Sequence, residues 1–364
     1  MNTNRGSILF RCDGTLASGW EALYQCLSLA AALQRRRRGN HFFSYLEPLS
    51  LALTIHFEHN EWHAAEQPLG ADKDLEATIT KARSLGAAAI VVAGAGMTSE
   101  YLACLRQETG ALVLVFDSTA AIEFPVDILV NPLLAPGKKA YRIGPGCQRL
   151  LGARFALCRR VFRRQRTIRA REQPPPFHAL LAWGDHDTSD EILRRAEQLL
   201  AIDRLAKVSV ATRRHHPFYD ALRKLVKQSG RRLEVITEDK ELLTRLFRAH
   251  FALTAGDAWA LELCVVGIPQ LIISTTPRHA LNGRKMDKEG VATYLGDAAE
   301  VGADQLRAAI DQLLDDPMER KGMTRRARDM FDGRGPDRIV NGLEIMLHSP
   351  SRRRAAMSLP TSEA

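Results

Sequence analysis

The 364-residue chain lacks several features that would place it in a specialised class of protein. It has no run of eighteen apolar residues, and its amino terminus shows no basic segment followed by an apolar one. We therefore expect a cytoplasmic chain without a membrane span or signal peptide. The six cysteines include no Cys-x-x-Cys pair, so we expect reduced thiols in the core. Aromatic residues make up 6% of the chain, too few for a surface that stacks nucleic-acid bases.

Positive charge is in excess, with 51 Lys and Arg against 42 Asp and Glu and a net charge of +9. The arginines cluster at residues 35–38, 154–171 and 352–354. Such an excess suits an anionic substrate such as a nucleotide diphosphate, an acidic membrane surface, nucleic acid, or simply a solvated surface. The scarcity of aromatics argues against nucleic acid. Peripheral association with the inner membrane surface and binding to a protein partner stay open.

Alternation of apolar runs with amphipathic segments predicts the fold. Short apolar runs at 8–10, 88–93 and 111–116 are separated by helical patterns, and the same rhythm returns after residue 177. This rhythm is typical of right-handed crossovers and parallel sheets. We expect an α/β protein with two Rossmann-like domains whose parallel sheets face a cleft. The predicted parts are a first domain (1–162), a basic, Pro-rich linker (163–176), a second domain (177–347) and a disordered tail (348–364).

Three histidines could form a metal site. His56, His59 and His63 are spaced so that a single helix could present them together. Glutamates are interspersed among them, which makes a solvated polar helix face the simpler interpretation. We expect no metal and no cofactor.

Residues 6–34 are the most informative stretch, because a strand, a glycine-containing loop and a helix follow one another there. A family pattern close to Leu-Phe-Arg-x-Asp-x-Ser, then Gly-His-x-x-Arg-Cys-Leu-x-Leu-Ala, is matched in register by Leu9, Phe10, Arg11, Asp13, Gly19 and residues 26–30. The chain thus resembles the pseudaminic acid pathway hydrolases, which remove the nucleotide from UDP-2,4-diacetamido-2,4,6-trideoxyaltrose and have the GT-B fold. A second block, with Leu150, Leu151, Gly152, Phe155 and Arg159 in register, matches the same family.

Several residues of the family's motifs are replaced in this chain. The family's Gly-His pair falls on Glu21 and Ala22, so its catalytic histidine is missing, and its motif arginine is Gln25. Asp13 is the catalytic residue that remains, and Glu21 and His186 are other possible proton acceptors. An Asp-Tyr pair of the family is replaced in the loop at residues 93–96.

In the second domain, the resemblance implies substrate contacts at three strand ends. Gly184 and Asp187 match a Phe-Gly-Gly-x-Asp loop, although Asp187 is equally well explained as a helix cap. Arg213 lies in a basic loop before a helix, which suits an anion or an exposed turn.

The third strand end is the most diagnostic. Its loop, Gly256, Asp257 and Ala258, stands where the family cradles a nucleotide diphosphate, and Glu262 matches a residue that holds the ribose hydroxyls. Asp257 stands at the amino end of the helix that follows, where its charge would repel a diphosphate. The family's following Asn-Gln pair falls on Arg278 and His279, and Arg278 could offset that charge.

Three functions follow from these observations. The first is a UDP-sugar hydrolase with weak or altered activity. The second is a GT-B glycosyltransferase acting in surface polysaccharide synthesis or flagellin glycosylation. The third is a non-catalytic relative that binds a nucleotide sugar, UDP or a protein partner.

Overall fold

The computed structural model describes residues 6–168, 172, 174–184, 187 and 189–349. The first half of the chain alternates strands with helices, as predicted. Its strands are β1 (Ser7–Cys12), β2 (Asn40–Ser44), β3 (Glu61–Ala64), β4 (Ala87–Ala93), β5 (Leu112–Phe116), β6 (Glu123–Phe124), β7 (Ile128–Asn131), β8 (Arg142–Ile143) and β9 (Gln148–Leu151). Its helices are α1 (Glu21–Gln34), α2 (Leu51–Phe57), α3 (Asp74–Ser84), α4 (Ser99–Thr109) and α5 (Arg160–Ile168).

The first sheet has seven parallel strands in the order β3-β2-β1-β4-β5-β7-β9. Strands β4 and β5 are buried along most of their length because helices cover both faces of the sheet. The strand order reverses between β1 and β4, so the loops after these two strands diverge and leave a crevice at the carboxyl edge.

The second half forms a six-stranded parallel sheet in the order β12-β11-β10-β13-β14-β15. Its strands are β10 (Phe177–Ala182), β11 (Leu205–Ala211), β12 (Leu233–Ile236), β13 (Phe251–Thr254), β14 (Gln270–Ser274) and β15 (Thr293–Asp297). Its helices are α6 (Glu191–Leu200), α7 (Tyr219–Gln228), α8 (Asp239–Arg248), α9 (Ala258–Val266), α10 (Pro277–Lys288), α11 (Ala303–Asp315), α12 (Pro317–Met330) and α13 (Gly335–Leu347). The predicted fold class, two Rossmann-like α/β domains with parallel sheets, is confirmed.

Helix α5 occupies much of the stretch that we predicted to be a linker. The Arg166 guanidinium donates to the carbonyl oxygens of Arg328 (2.7 Å) and Phe331 (2.6 Å) at the end of α12. Arg163 pairs with Asp337 at 3.2 Å. These arginines therefore bind carbonyls and a carboxylate of the same chain, and together with the buried Phe162 they hold an arginine-rich helix in place. The domain limits themselves stay predictions.

Helix α13 returns to the first domain. Its side chains Ile339, Val340 and Leu343 are buried in the same core cluster as α1 and β1. Arg38, after α1, donates to both carboxylate oxygens of Glu344 at 2.9 and 2.8 Å. Of the tail predicted to be disordered, residues 350–364 lie outside the described residues.

The prediction that one helix presents three histidines is wrong. His56 lies on α2, His59 in the turn that follows, and His63 on β3. Helix α2 ends at Phe57, before the second histidine, and His59 has a φ of +57° in the turn that follows. None of the helices in the described ranges is long and apolar enough to cross a membrane.

Candidate functional site

Glu21 lies at the centre of the cleft between the two sheets. It is the first residue of α1, and its side chain is 6% exposed. Arg278 Nη2, at the start of α10, donates to Glu21 Oε2 at 2.5 Å, and Gln25 Nε2 donates to Oε1 at 3.1 Å. His279 Nε2 lies 3.6 Å from Glu21 Oε2. Thus a carboxylate of the first domain meets two basic side chains of the second.

A large cavity of about 710 Å³ opens on the first-domain side of Glu21. Strand-end loops form its walls, including Asp13, residues 94–97 and residues 116–119, and Arg278 reaches into it from the second domain. Arg278 Nη1 also donates to Ser118 Oγ at 3.4 Å. The size is that of a site for a small organic ligand, and Glu21 and Arg278 supply charged groups at its wall.

Asp13 lines this cavity, but its carboxylate is held by the protein. Oδ1 accepts from Tyr45 N at 2.9 Å and from Arg11 Nη1, and Oδ2 accepts from Leu69 N at 2.6 Å. Arg11 is fully buried, which alone would lower its pKa, yet Asp13 and Asp74 raise it. These bonds favour a structural role for Asp13, in which it joins three loops, over proton transfer.

Ala22 also lines the large cavity, where the resemblance places a catalytic histidine. A side chain built at Gly94 would lie 4.0 Å from the Ala22 methyl group, so this part of the wall is apolar. Both Glu21 and Ala22 therefore face the cleft, although consecutive helical side chains diverge by about 100°. Gly19, with a φ of +71°, turns the preceding loop, and its carbonyl accepts from Thr15 N at 3.3 Å.

The amino end of α9 is closed by its own cap. Asp257 is the N-cap residue, as the sequence indicated, and its Oδ1 accepts from Ala260 N at 3.4 Å. Gly256 has a φ of +78°, and a Cβ there would lie 3.0 Å from Ile272 and 3.1 Å from the His279 carbonyl. Only glycine fits this turn. Ala258 follows as the first residue of the helix.

Glu262, in the middle of α9, forms an ion pair with Arg159. Arg159 Nε lies 3.0 Å from Oε1 and Nη2 lies 2.7 Å from Oε2, and the Arg159 backbone N–H donates to Oε1 at 2.8 Å. The guanidinium lies 4.8 Å from the ring centroid of Trp259, and that of Arg213 lies 5.5 Å from it. Cation–π contact thus places Trp259 near two arginines.

Glu262 and Arg159 both line a small cavity of about 30 Å³. That volume holds about one water molecule. In this conformation Glu262 is bound by Arg159, so a ribose reaches it only after Arg159 moves.

A third cavity of about 360 Å³ lies beyond Arg159, between α1, α5 and α13. Its lining includes the arginines Arg35, Arg159, Arg160, Arg163 and Arg213. Tyr24, Ser28 and Arg159 line both this cavity and the small one, whereas Glu21 and Gln25 line both the small and the large one. The three cavities are therefore adjacent, with Glu21 between the small cavity and the large one.

The loop after β10 is held together by Asp187. Trp183 Nε1 donates to Asp187 Oδ2 at 2.7 Å, and Ser189 N donates to Oδ1 at 2.8 Å. Helix α6 begins at Glu191, so Asp187 stabilises the preceding turn and is not the cap of the helix. Gly184 is buried beside it. The possible proton acceptor His186 and the neighbouring Asp185 lie outside the described residues.

Arg213 belongs to a loop that contacts the first domain. Its guanidinium lies 4.1 Å from the ring centroid of Tyr24 on α1. His215 packs edge-on against the buried Trp20, with centroids 4.3 Å apart. The loop therefore closes one side of the cleft while leaving Arg213 at the arginine-lined cavity.

The functions of two residues of the site have no signal in the sequence. Arg159 matches a family motif, but nothing in the sequence indicates that it pairs with Glu262. Asn282 belongs to no motif, yet it donates to the Gly256 carbonyl at 2.6 Å and accepts from Leu134 N at 2.8 Å. No local pattern signals either residue, because each acts on chain segments far away in sequence.

The expectation of core cysteines holds for four of the six, Cys12, Cys26, Cys158 and Cys264, whereas Cys104 and Cys147 are only half-buried. All six are free, and burial raises the pKa of Cys264 to about 12. Among the described residues, the atoms of His41, Glu61 and His63 that could bind a metal lie close together. This group is outside the cleft.

Comparisons with known proteins support the fold. No protein-family model matches the chain, and no curated protein matches it in sequence. MurG of Acinetobacter baumannii superposes with a TM-score of 0.63 at 11% identity, covering 93% of this chain and 99% of MurG. A glycosyltransferase from Rickettsia africae gives 0.62 at 10%, covering 95% and 100%. The MnaA–UDP structure from S. aureus gives 0.61 at 12%, covering 94% and 97%.

At these identities the likeness shows the fold alone, and it does not point to the pseudaminic acid pathway hydrolases in particular. The match nonetheless spans nearly the whole length of each structure, in keeping with the two sheets and the cleft described above. The chain is thus a protein of the GT-B fold, built from two Rossmann-like domains.

Proposed function

We propose that the protein binds a nucleotide sugar in the cleft and transfers its glycosyl group to a hydroxyl acceptor held in the large cavity. The observation that carries this proposal is the position of Glu21. It borders the large cavity on one side and the small cavity beside Glu262 on the other. A carboxylate placed there lies between an acceptor and a donor.

In the proposed reaction, Glu21 accepts the proton of the acceptor hydroxyl as its oxygen bonds to the anomeric carbon. The bond from that carbon to the diphosphate breaks, and the nucleotide diphosphate leaves with the electron pair. Arg278, 2.5 Å from Glu21 here, pairs with the diphosphate when the nucleotide sugar binds, and this leaves the carboxylate free to take the proton. The adjacent arginine-lined cavity adds positive charge for the nucleotide end.

Hydrolysis is the weaker alternative. The position of the family's catalytic histidine holds Ala22, which cannot take a proton from water. A cavity of about 710 Å³ is also far larger than one attacking water needs. Water as the acceptor remains an outcome that product analysis detects.

A second candidate, a scaffold without catalysis, is favoured by the region around α9. Asp257 caps the helix end that would otherwise bind a diphosphate, and Arg159 forms an ion pair with Glu262, which would otherwise be open to a ribose. Such a protein would bind a partner through the same scaffold. Association with a protein or with an acidic membrane surface stays a prediction from the sequence.

Calorimetry with UDP, UDP-N-acetylglucosamine and, for comparison, ADP and GDP tests the first proposal. We expect saturable binding of a uridine nucleotide, weakened at least about tenfold by Arg213→Ala. The surface variant Arg204→Ala is the matched control, because Arg204 pairs with Asp311 and Asp315 away from the cleft. Absence of binding to every nucleotide at millimolar concentration would favour the scaffold. If a nucleotide binds, product analysis with sugar acceptors separates transfer from hydrolysis.

A further inference from the structure

Two histidines and a glutamate meet at the edge of the first sheet. His41 lies on β2, and Glu61 and His63 lie on β3, which is the edge strand. In the parallel pairing of these strands His41 stands opposite Glu61, and Phe43 stands opposite His63. Residues two apart on a strand share a face, so the register places all three side chains on the same face of the sheet.

The distances between their polar atoms are those of a metal centre. His41 Nδ1 lies 3.1 Å from Glu61 Oε2 and 3.3 Å from His63 Nε2, and all three ligand atoms lie within 4.8 Å of one another. In tetrahedral zinc sites with Zn–N and Zn–O bonds of about 2.0–2.1 Å, neighbouring ligand atoms are separated by about 3.3 Å. The two short separations therefore match the edges of such a tetrahedron.

Hydrogen bonds alone cannot satisfy the polar atoms of all three side chains. Nδ1 of His41 carries at most one proton, yet it faces both a carboxylate oxygen and an imidazole nitrogen. With the proton present, it cannot donate at full strength to both neighbours. Without it, the nitrogen lone pair faces the Glu61 carboxylate. A cation between the three atoms would satisfy all of them.

We infer that His41, Glu61 and His63 bind one divalent transition metal ion, Zn²⁺ in preference to Mg²⁺ or Ca²⁺, with water completing the coordination. Imidazole nitrogens select zinc and its neighbours over the hard cations, which prefer oxygen ligands. The Glu61 side chain is 71% exposed and that of His41 only 12%, so the group is open to solvent on one side. A metal ion can enter there, and a water molecule can take the remaining position.

The site is separate from the cleft. His41 is the second residue of β2, whereas the cleft loops follow the carboxyl ends of the strands. A metal bound there would therefore stabilise the sheet and would not act in the cleft. β3 has four residues, none of them buried, and a metal bound by one residue of β2 and two of β3 would fasten this short strand to its neighbour.

Zinc titration of the full, untagged chain after chelator treatment tests the inference. We expect one saturable equivalent of Zn²⁺ and a rise in the melting temperature. Co²⁺ bound at the same site should show the intense visible absorption of tetrahedral coordination. His41→Ala and His63→Ala should each weaken binding at least about tenfold. The control His56→Ala, which removes an exposed histidine on the nearby helix α2, should leave binding unchanged.

Glu61→Gln is a further variant that cannot plausibly unfold the chain, because its side chain is largely exposed. It should also weaken Zn²⁺ binding. No saturable equivalent in the wild type, or equal affinity in wild type, His63→Ala and Glu61→Gln, would overturn the inference. So would loss of binding in His56→Ala alone, which would place the ion elsewhere.

Discussion

Glu21 and Arg278 form an ion pair across the cleft, with Oε2 and Nη2 separated by 2.5 Å. The carboxylate belongs to the first turn of α1 and the guanidinium to the first turn of α10. The pair therefore joins the two domains at the point where a transferred group would pass.

Replacing the carboxylate tests the proposed role of Glu21 as a base. In Glu21→Gln the amide oxygen still accepts from Arg278, but it takes up no proton. We expect glycosyl transfer to fall by about a hundred- to ten-thousand-fold, with UDP affinity changed little. Steady-state kinetics and calorimetry on the same preparation measure both. Glu76→Gln on the exposed surface of α3 is the matched control. Undiminished transfer by Glu21→Gln would remove Glu21 from the chemistry.

The Arg159–Glu262 pair should be a large contribution to stability. Arg159→Met leaves the carboxylate of Glu262, with a side chain only 7% exposed, without its guanidinium partner. We expect the free energy of unfolding to fall by roughly 3 kcal/mol in urea denaturation. Arg204→Met, which breaks surface ion pairs, should cost less than about 1 kcal/mol. The double variant Arg159→Met, Glu262→Leu should recover much of the loss. Equal costs for Arg159→Met and Arg204→Met would contradict the assignment.

Restoring the histidine of the resembling family should not create a hydrolase. Ala22→His would place an imidazole in the large cavity. Gly94, Ala95 and Met97 on the facing wall, however, offer no polar side chain that could hydrogen-bond to the imidazole and orient it. We expect UDP release from the family's UDP-sugar to stay low in both wild type and variant. Robust turnover by the wild type, or full rescue by this single change, would show that the altered loops matter less than we infer.

The pH dependence of stability should include a contribution from Asp332. Hydrogen bonds from Arg338 lower the pKa of Asp332 to about 2 from the usual 3.8. Because the folded pKa is depressed, its stabilising effect is complete above about pH 4 and is lost as the pH falls towards 2. Asp332→Asn should therefore destabilise the protein at pH 6, and less so at pH 3. Denaturation curves at both pH values measure this, with exposed Asp72→Asn as control. A pH-independent difference would refute it.

Most of the fold could be predicted because its strands are apolar runs and its helices are amphipathic. Strands β4 and β5 and helix α6 are clear examples. Helix α10 and strand β15 give no such signal. The segment of α10 is rich in Arg and Lys, and β15 is half-buried at every position, so neither shows an apolar period.

The site was predicted less well, and for a different physical reason. The sequence located Asp257 at the amino end of a helix, because a short-range pattern determines caps. It could not show that Arg159 binds Glu262, since the two are 103 residues apart and meet only after both domains have folded. Nor could the spacing of Glu21 and Ala22 show that both face the cavity, because they lie where the helix begins and the loop beside it opens.

Helix α13 determines when the core of the first domain can be completed during synthesis. Ile339, Val340 and Leu343 complete a core whose other members include β1 and α1 at the opposite end of the chain. A ribosome delivers the first domain long before these side chains leave the exit tunnel. Until then the matching face of α1 stays uncovered, so the first domain completes its core only after the second domain has been synthesised.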